Sequence, residues 1–387
     1  MATCLLVATC LIITVVQPSA QPKRRTGPQP PPISEPPDAQ TKVVHAWAAM
    51  EARAEMRPFT YDLPSTTPPA GYVDVEISHC GICHSDLHQI NDAWRVACFP
   101  LVPGHEIVGT IAAIGSGVDN FAVGDRAAIG VQRSCCGSCD CCDAGLDHVC
   151  PAITKTYAGP GKDKGGFAHM IRYPAAWTFA PPAQLASELV APLMCAGITT
   201  YSPLRRYGRA GDRVGIVGIG GLGHVALQFA RAMGFEVVAL SRSADKEAEA
   251  RSFGAGAFLN TDDPQAMAEA ASSFDLLLST ASGHAPIDSY LALLRPRGTL
   301  CCVGLPDKDE RSRLFLQSIV PAERVIVGSY LGPHADYEEM LAFAAEHSVV
   351  PSVEVLPASE INRAIARVRD NQARYRMVLA FEPTVDR

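Results

Sequence analysis

The sequence predicts an α/β protein in which a doubly wound parallel sheet is inserted into a β-rich domain. Two observations carry this expectation. From Arg213 to about Gly332, apolar β-runs alternate with helix-like segments, the rhythm of βαβ units. Before that stretch, residues 41–180 read as short strands and turns, and after about Pro333 the chain returns to mixed helix and strand. The length of 387 residues fits two to three domains at roughly 150 residues each. Apolar residues make up 48% and charged residues 19%, which supplies buried cores and excludes a disordered or collagen-like chain. The 33 basic and 40 acidic residues leave a net charge of −7, and this balance offers no hint of a nucleic-acid-binding face.

The first forty residues stand apart. Residues 2–16 are apolar and uncharged, too short to span a bilayer comfortably, and no basic segment precedes them as in a signal peptide. Residues 17–40 hold eight prolines and read as an unstructured linker. Residues 1–40 are therefore taken as a disordered or targeting extension, and the remainder as a cytoplasmic chain with no membrane contact.

From Thr41 the elements follow in order. KVVHAWAAM reads as a strand. VDVEISHC (73–80) alternates apolar and polar residues, as a half-buried strand should. IVGTIAAIGSGV and FAVGDRAAIGV are β-rich runs cut by Gly and Asp. RVGIVGIGGLG (213–223) is a strand running into a glycine turn, and HVALQFARAMG (224–234) is a helix closed by glycine. EVVALSRS (236–243) is the next strand, KEAEARSFG a polar helix and AGAFLN a short strand. FDLLLSTAS (274–282) is a strand, YLALLRPRG a helix, and TLCCVGLP and RVIVGSYLG (324–332) complete the series.

Gly218, Gly220 and Gly223 satisfy G-x-G-x-x-G, with Gly221 inside it. The pattern follows an apolar strand and opens a helix, the context of a Rossmann dinucleotide site. Free N–H groups at the helix start would face a pyrophosphate. The end of the second strand carries Ser241, Arg242 and Ser243, then Lys246, and no carboxylate. A carboxylate would repel a 2′-phosphate, whereas hydroxyls and cations bind one, so NADP(H) is expected. The competing reading is a solvated basic turn.

Fourteen cysteines are present, six of them between Cys135 and Cys150. Cys136, Cys139, Cys142 and Cys150 give C-x2-C-x2-C-x7-C, a spacing that closes a tetrahedral structural zinc shell. Cys135 and Cys141 are a surplus pair. A disulfide cluster is the alternative in an oxidising compartment. A second set is dispersed: Cys83 in GICHSDLH, His105 in PGHE, and Cys195 in MCAGITTY. Two thiolates and an imidazole would leave an open position on a catalytic zinc. Spacing does not join them, and each in isolation reads as an ordinary core residue.

GICHSDLH, VPGHEIVG, the four-cysteine loop, CAGITTYSPL and GIGGLGH together resemble the zinc-dependent medium-chain alcohol dehydrogenases, and within them the cinnamyl alcohol dehydrogenase-like aldehyde reductases. The likeness covers about residues 41–387. It implies a GroES-like catalytic domain over 41–192 with the structural-zinc loop, a Rossmann NADP-binding domain over 193–332, and a C-terminal return to the catalytic domain over 333–387. It assigns the catalytic zinc to Cys83, His105 and Cys195. It makes Ser85 and His88 the proton path, Asp86 a carboxylate orienting the site, and Glu106 an alternate ligand. It puts Thr199 against the nicotinamide, His84 near the cofactor phosphates and Arg376 within reach of the pyrophosphate. The reaction implied is NADP(H)-linked interconversion of aromatic or medium-chain primary alcohols and aldehydes, in a homodimer. The competing readings are a polyol or sugar dehydrogenase of the same broad family and a non-catalytic zinc module. One departure stands out: Asp92-Ala93-Trp94-Arg95 occupies a place where relatives usually have an acidic–Trp–Gly stretch.

Overall fold

The Val-, Ile- and Leu-rich strands Arg213–Val217, Glu236–Ser241 and Phe274–Ser279 are buried on both faces, and they assemble as the sequence pattern demands. The computed structural model describes residues 41–157, 163–283 and 286–382. The expectations for residues 1–40 lie outside the described residues. Six strands form a wholly parallel sheet in the order Ala257–Asn260, Glu236–Ser241, Arg213–Val217, Phe274–Ser279, Leu294–Cys302, Val325–Gly328. Chain order reverses between Arg213–Val217 and Phe274–Ser279, the switch point at which such sheets bind ligands.

The second sheet has seven strands. Its centre is the strand Tyr72–Ile82, paired antiparallel with Ile107–Ile114, Met170–Pro174 and Arg376–Ala380. The C-terminal strands Val353–Pro357 and Arg376–Ala380 thus return to the sheet that holds the N-terminal half. The return comes later than Pro333. The helix His334–His347 packs on the helix Ile198–Tyr207, and its Tyr337, Met340 and Leu341 join the core around Val214 and Ile216. No helix among the described residues is long and apolar enough to cross a membrane.

One expected helix is shorter than read. YLALLRPRG is helical only within Ile287–Leu293, and Leu294 already pairs with Phe274 as the start of a strand. Pro296 cannot donate to a helical ladder, and Arg297 sits at φ 64, so the helix pattern stops where its apolar residues stop.

The glycine turn is held by His224, fully buried behind it. His224 Nδ1 donates to the Gly220 carbonyl at 2.9 Å, and Nε2 accepts from the Ser352 N–H at 3.1 Å. Its ring stacks on Tyr375 at 4.8 Å. Burial drives the imidazole pKa down to about 3. The unfolded chain binds a proton near pH 6.5 that the folded chain refuses, so this contribution is complete above that pH and lost as pH falls toward 3. The expected slope is about 1.4 kcal/mol per pH unit in that window. Thermal melts between pH 7 and 4.5 check it: His224→Gln should show a shallower acid decline than the parent, and parallel declines would reject it.

Candidate active site

A single cleft of about 1270 Å³ runs from the glycine turn to the buried cysteines and is lined by residues of both sheets. At one end Gly218 takes φ +86, a conformation that an L side chain resists. A Cβ on Gly223 would lie 1.9 Å from the Gly218 carbonyl oxygen, so strand and helix approach closely only through glycine. The helix Gly223–Ala232 therefore starts directly at the cleft, where Gly218, Gly220 and Gly221 line the wall. Ser241, Arg242, Ser243 and Lys246 line the same cleft just beyond the strand Glu236–Ser241. Lys246 Nζ donates to the Ile219 carbonyl at 2.8 Å, tying this basic turn to the glycine loop.

At the other end, Cys83 leaves the strand Tyr72–Ile82 and caps the short helix His84–Ile90. His105 lies just before the strand Ile107–Ile114. Cys195 sits in a π-helical turn, Leu193–Gly197, between two α-helices; such turns re-aim a side chain at functional sites. One ligand atom from each of Cys83, His105, Glu106 and Cys195 lies within 4.8 Å of the others, and all four residues are buried. The Cys83 and Cys195 sulfurs are 3.9 Å apart. Cys80, though buried, is outside this group; its sulfur packs against Gly104 and Gly166.

The surroundings explain which atoms are free. Asp86 is buried and accepts from the Cys83 N–H at 2.8 Å, the Gly104 N–H at 3.0 Å and the Tyr157 hydroxyl. Its Oδ1 also faces His105 Nδ1 at 3.3 Å. That leaves His105 Nε2 as a buried nitrogen without a hydrogen-bond partner. An orphaned buried donor or acceptor costs free energy, and a cation between two thiolates would satisfy it. Glu106 bonds Arg376 through Oε1, and its Oε2 is likewise without a partner. Burial pushes the Glu106 carboxyl up to about 7 against the pull of the Arg376 guanidinium. Arg376 spans the cleft, since a Cβ on Gly221 would lie 2.8 Å from its guanidinium.

Ser85, His88 and Thr199 all line the cleft, as does the exposed His84. His88 Nδ1 is 2.7 Å from Asp307 Oδ1, and its ring stacks on Trp94 at 4.9 Å. Neither Asp307 nor Tyr157 carries any local sequence signal, because each acts on a residue far away in the chain. Arg95 holds φ 56, a left-handed conformation that glycine adopts freely, and its side chain pairs with Asp309.

The four-cysteine loop forms a separate cluster. Neighbouring sulfurs of Cys136, Cys139, Cys142 and Cys150 stand 3.5 to 4.0 Å apart. A zinc tetrahedron with bonds of about 2.3 Å sets its sulfurs about 3.8 Å apart, so the donor set fits that ion. All four are free thiols, and a disulfide would need about 2.05 Å. Cys135 and Cys141 stay outside the cluster.

Known proteins resemble this chain along most of its length. Residues 69–183 match the alcohol dehydrogenase GroES-like domain, and residues 221–346 match the zinc-binding dehydrogenase family. A probable formaldehyde dehydrogenase of Bacillus subtilis is 39% identical over 346 residues, covering 88% of this chain and 97% of that protein. The solved cinnamyl alcohol dehydrogenase of Sorghum bicolor is 36% identical with a TM-score of 0.83, covering 88% of this chain and 98% of that one. The Helicobacter pylori enzyme of the same name, solved with NADP(H), is 30% identical with a TM-score of 0.81, covering 88% and 99%.

Proposed function

Because the chain belongs to the zinc-dependent medium-chain alcohol dehydrogenases, in the cinnamyl alcohol dehydrogenase-like subgroup, we propose that it is an NADP(H)-dependent reductase of aromatic or medium-chain aldehydes. The observation that carries this reading is one cleft shared by the Cys83–His105–Cys195 cluster and the glycine turn. Bound there, zinc would supply Lewis-acid polarisation of a carbonyl oxygen, and the dinucleotide would supply hydride.

The chain's own residues then have distinct tasks. Cys83, Cys195 and His105 Nε2 hold the catalytic metal, and Asp86 fixes the His105 ring so that Nε2 points to it. Glu106 stands by as an alternate ligand, restrained by Arg376. Arg376 also reaches the pyrophosphate beside Gly221. The Ser85 hydroxyl would be the first proton donor to the product oxygen, and His88 would relay the replacing proton inward from solvent. Thr199 supports the nicotinamide. Ser241, Arg242, Ser243 and Lys246 receive the 2′-phosphate, which a carboxylate at this turn would repel. Cys136, Cys139, Cys142 and Cys150 hold a structural zinc.

Trp94, Tyr157, Leu305, Tyr330 and Leu331 supply broad apolar walls, which suits a flat or extended hydrophobic aldehyde. A homodimer is proposed through the strand Val325–Gly328. It is the edge of its sheet, its own Val325 is exposed, and so are Phe315, Leu316 and Val320 in the segment leading into it.

The test is NADPH oxidation with cinnamaldehyde, benzaldehyde and aliphatic aldehydes, repeated with NADH and with a zinc chelator. One charge-assisted hydrogen bond to the 2′-phosphate should favour NADPH about tenfold or more in kcat/KM. Equal kcat/KM with NADH would remove the cofactor assignment. Absence of turnover on every aldehyde would remove the reductase reading.

A further inference from the structure

Two segments from different sheets meet beside the cleft and bond directly to one another. One is the end of the helix His84–Ile90 and the turn after it; the other is the loop following the strand Leu294–Cys302. His88 Nδ1 meets Asp307 Oδ1 at 2.7 Å, and Trp94 Nε1 donates to the Pro306 carbonyl at 3.1 Å. The Lys308 N–H donates to the Ala93 carbonyl at 3.3 Å, and Arg95 pairs with Asp309. Neither the metal cluster nor the glycine turn requires these contacts.

We infer that Asp307 is a positioning residue: it orients the His88 ring for proton transfer and does so from the opposite side of the cleft. This rests on the proton-path reading given above. A ring nitrogen this close to a carboxylate is the protonated one, so Nδ1 carries the hydrogen and Nε2 is left to exchange protons along the path. The ring plane is set by stacking on Trp94, and the Trp94 indole is itself held by the Pro306 carbonyl. Both restraints on His88 therefore come through consecutive residues of one loop. The His88 side chain is 19% exposed and Asp307 54%, so the pair contributes little to global stability and acts on ring orientation. The proton path is complete only when the loop at 306–309 is seated on the segment at 88–95.

The test is a double-mutant cycle on the zinc-loaded enzyme, read as single-turnover NADPH oxidation with benzaldehyde. His88→Ala should slow the turnover about tenfold, less than a full general-acid loss because water substitutes. Asp307→Ala should slow it roughly fivefold, the effect of one lost orienting hydrogen bond. His88→Ala/Asp307→Ala should be no slower than His88→Ala alone, because Asp307 acts only through that ring. Asp307→Asn should keep most of the rate, since its amide oxygen still accepts from Nδ1–H. KM for NADPH and zinc content should not move. If Asp307→Ala costs the same factor with or without His88, its role is merely structural and the inference falls. It falls equally if Asp307→Ala turns over at the parent rate while His88→Ala is slow. A His88→Ala enzyme at full speed instead defeats the proton path itself, which is a different result.

Discussion

Cys195→Ala is expected to bind one zinc per chain in place of two and to lose about three orders of magnitude in aldehyde reduction. Two donor clusters are present among the described residues, and only one of them contains Cys195. Removing one of two thiolates 3.9 Å apart leaves Cys83 and His105 with only Glu106, which is bonded to Arg376, as a third donor, too weak a set for a tightly held ion. Lewis-acid stabilisation is worth several kcal/mol, and about 4 kcal/mol is a thousandfold in rate. The fold should persist, because Cys195 lies in a helical segment whose neighbours Met194 and Ala196 remain packed in the core. Metal analysis, a melting curve and turnover measured on one preparation check this. Two zincs per chain together with full turnover would dismantle the assignment of Cys83, His105 and Cys195.

Cys150→Ala is expected to have the opposite signature: one zinc lost, a lower melting temperature and a smaller effect on chemistry. The Cys150 sulfur accepts backbone N–H groups of Cys136 and Ala152 at 3.5 and 3.4 Å and lies 3.7 and 3.5 Å from the sulfurs of Cys139 and Cys136. The loop it closes joins the paired strands Gln132–Ser134 and Thr154–Lys155. It also presents Asp147, which accepts from the His334 N–H at 3.0 Å and so anchors the start of the helix His334–His347. Structural zinc contributes directly to folding, so Tm should fall by roughly 5–10 °C. Activity should decline in part, because Tyr157 follows the loop and its hydroxyl holds Asp86. Calorimetry with metal analysis reads the outcome; an unchanged Tm at the parent's zinc content would show that Cys150 holds no structural ion.

The two variants separate residues by how far apart their partners lie in the chain, and the same distinction governs what could be read without coordinates. The C-x2-C-x2-C-x7-C loop is short, so its spacing by itself predicts that the sulfurs can meet. The glycine turn is equally local. Gly218 needs a positive φ and Gly223 needs room for a carbonyl, and both demands arise within six residues. The alternation of apolar strands and helices likewise forecast the parallel sheet, because burial on both faces leaves a continuous apolar run. The forecast failed at YLALLRPRG, where the apolar spacing of a helix was carried past Leu293 into a strand that shares its buried leucines.

What local pattern determined, then, is the strand-and-turn chemistry: a nucleotide-binding turn, a four-thiolate loop and the basic end of the second strand. Motif likeness named Cys83, His105 and Cys195, but their approach depended on two sheets docking with a π-helical turn between helices aiming one sulfur at another 112 residues away. Tyr157 on Asp86 and Asp307 on His88 were decided in three dimensions alone, over 71 and 219 residues of chain. Short-range sterics and spacing are written in adjacent residues, whereas a contact across a cleft exists only once burial of both cores has fixed where each backbone runs.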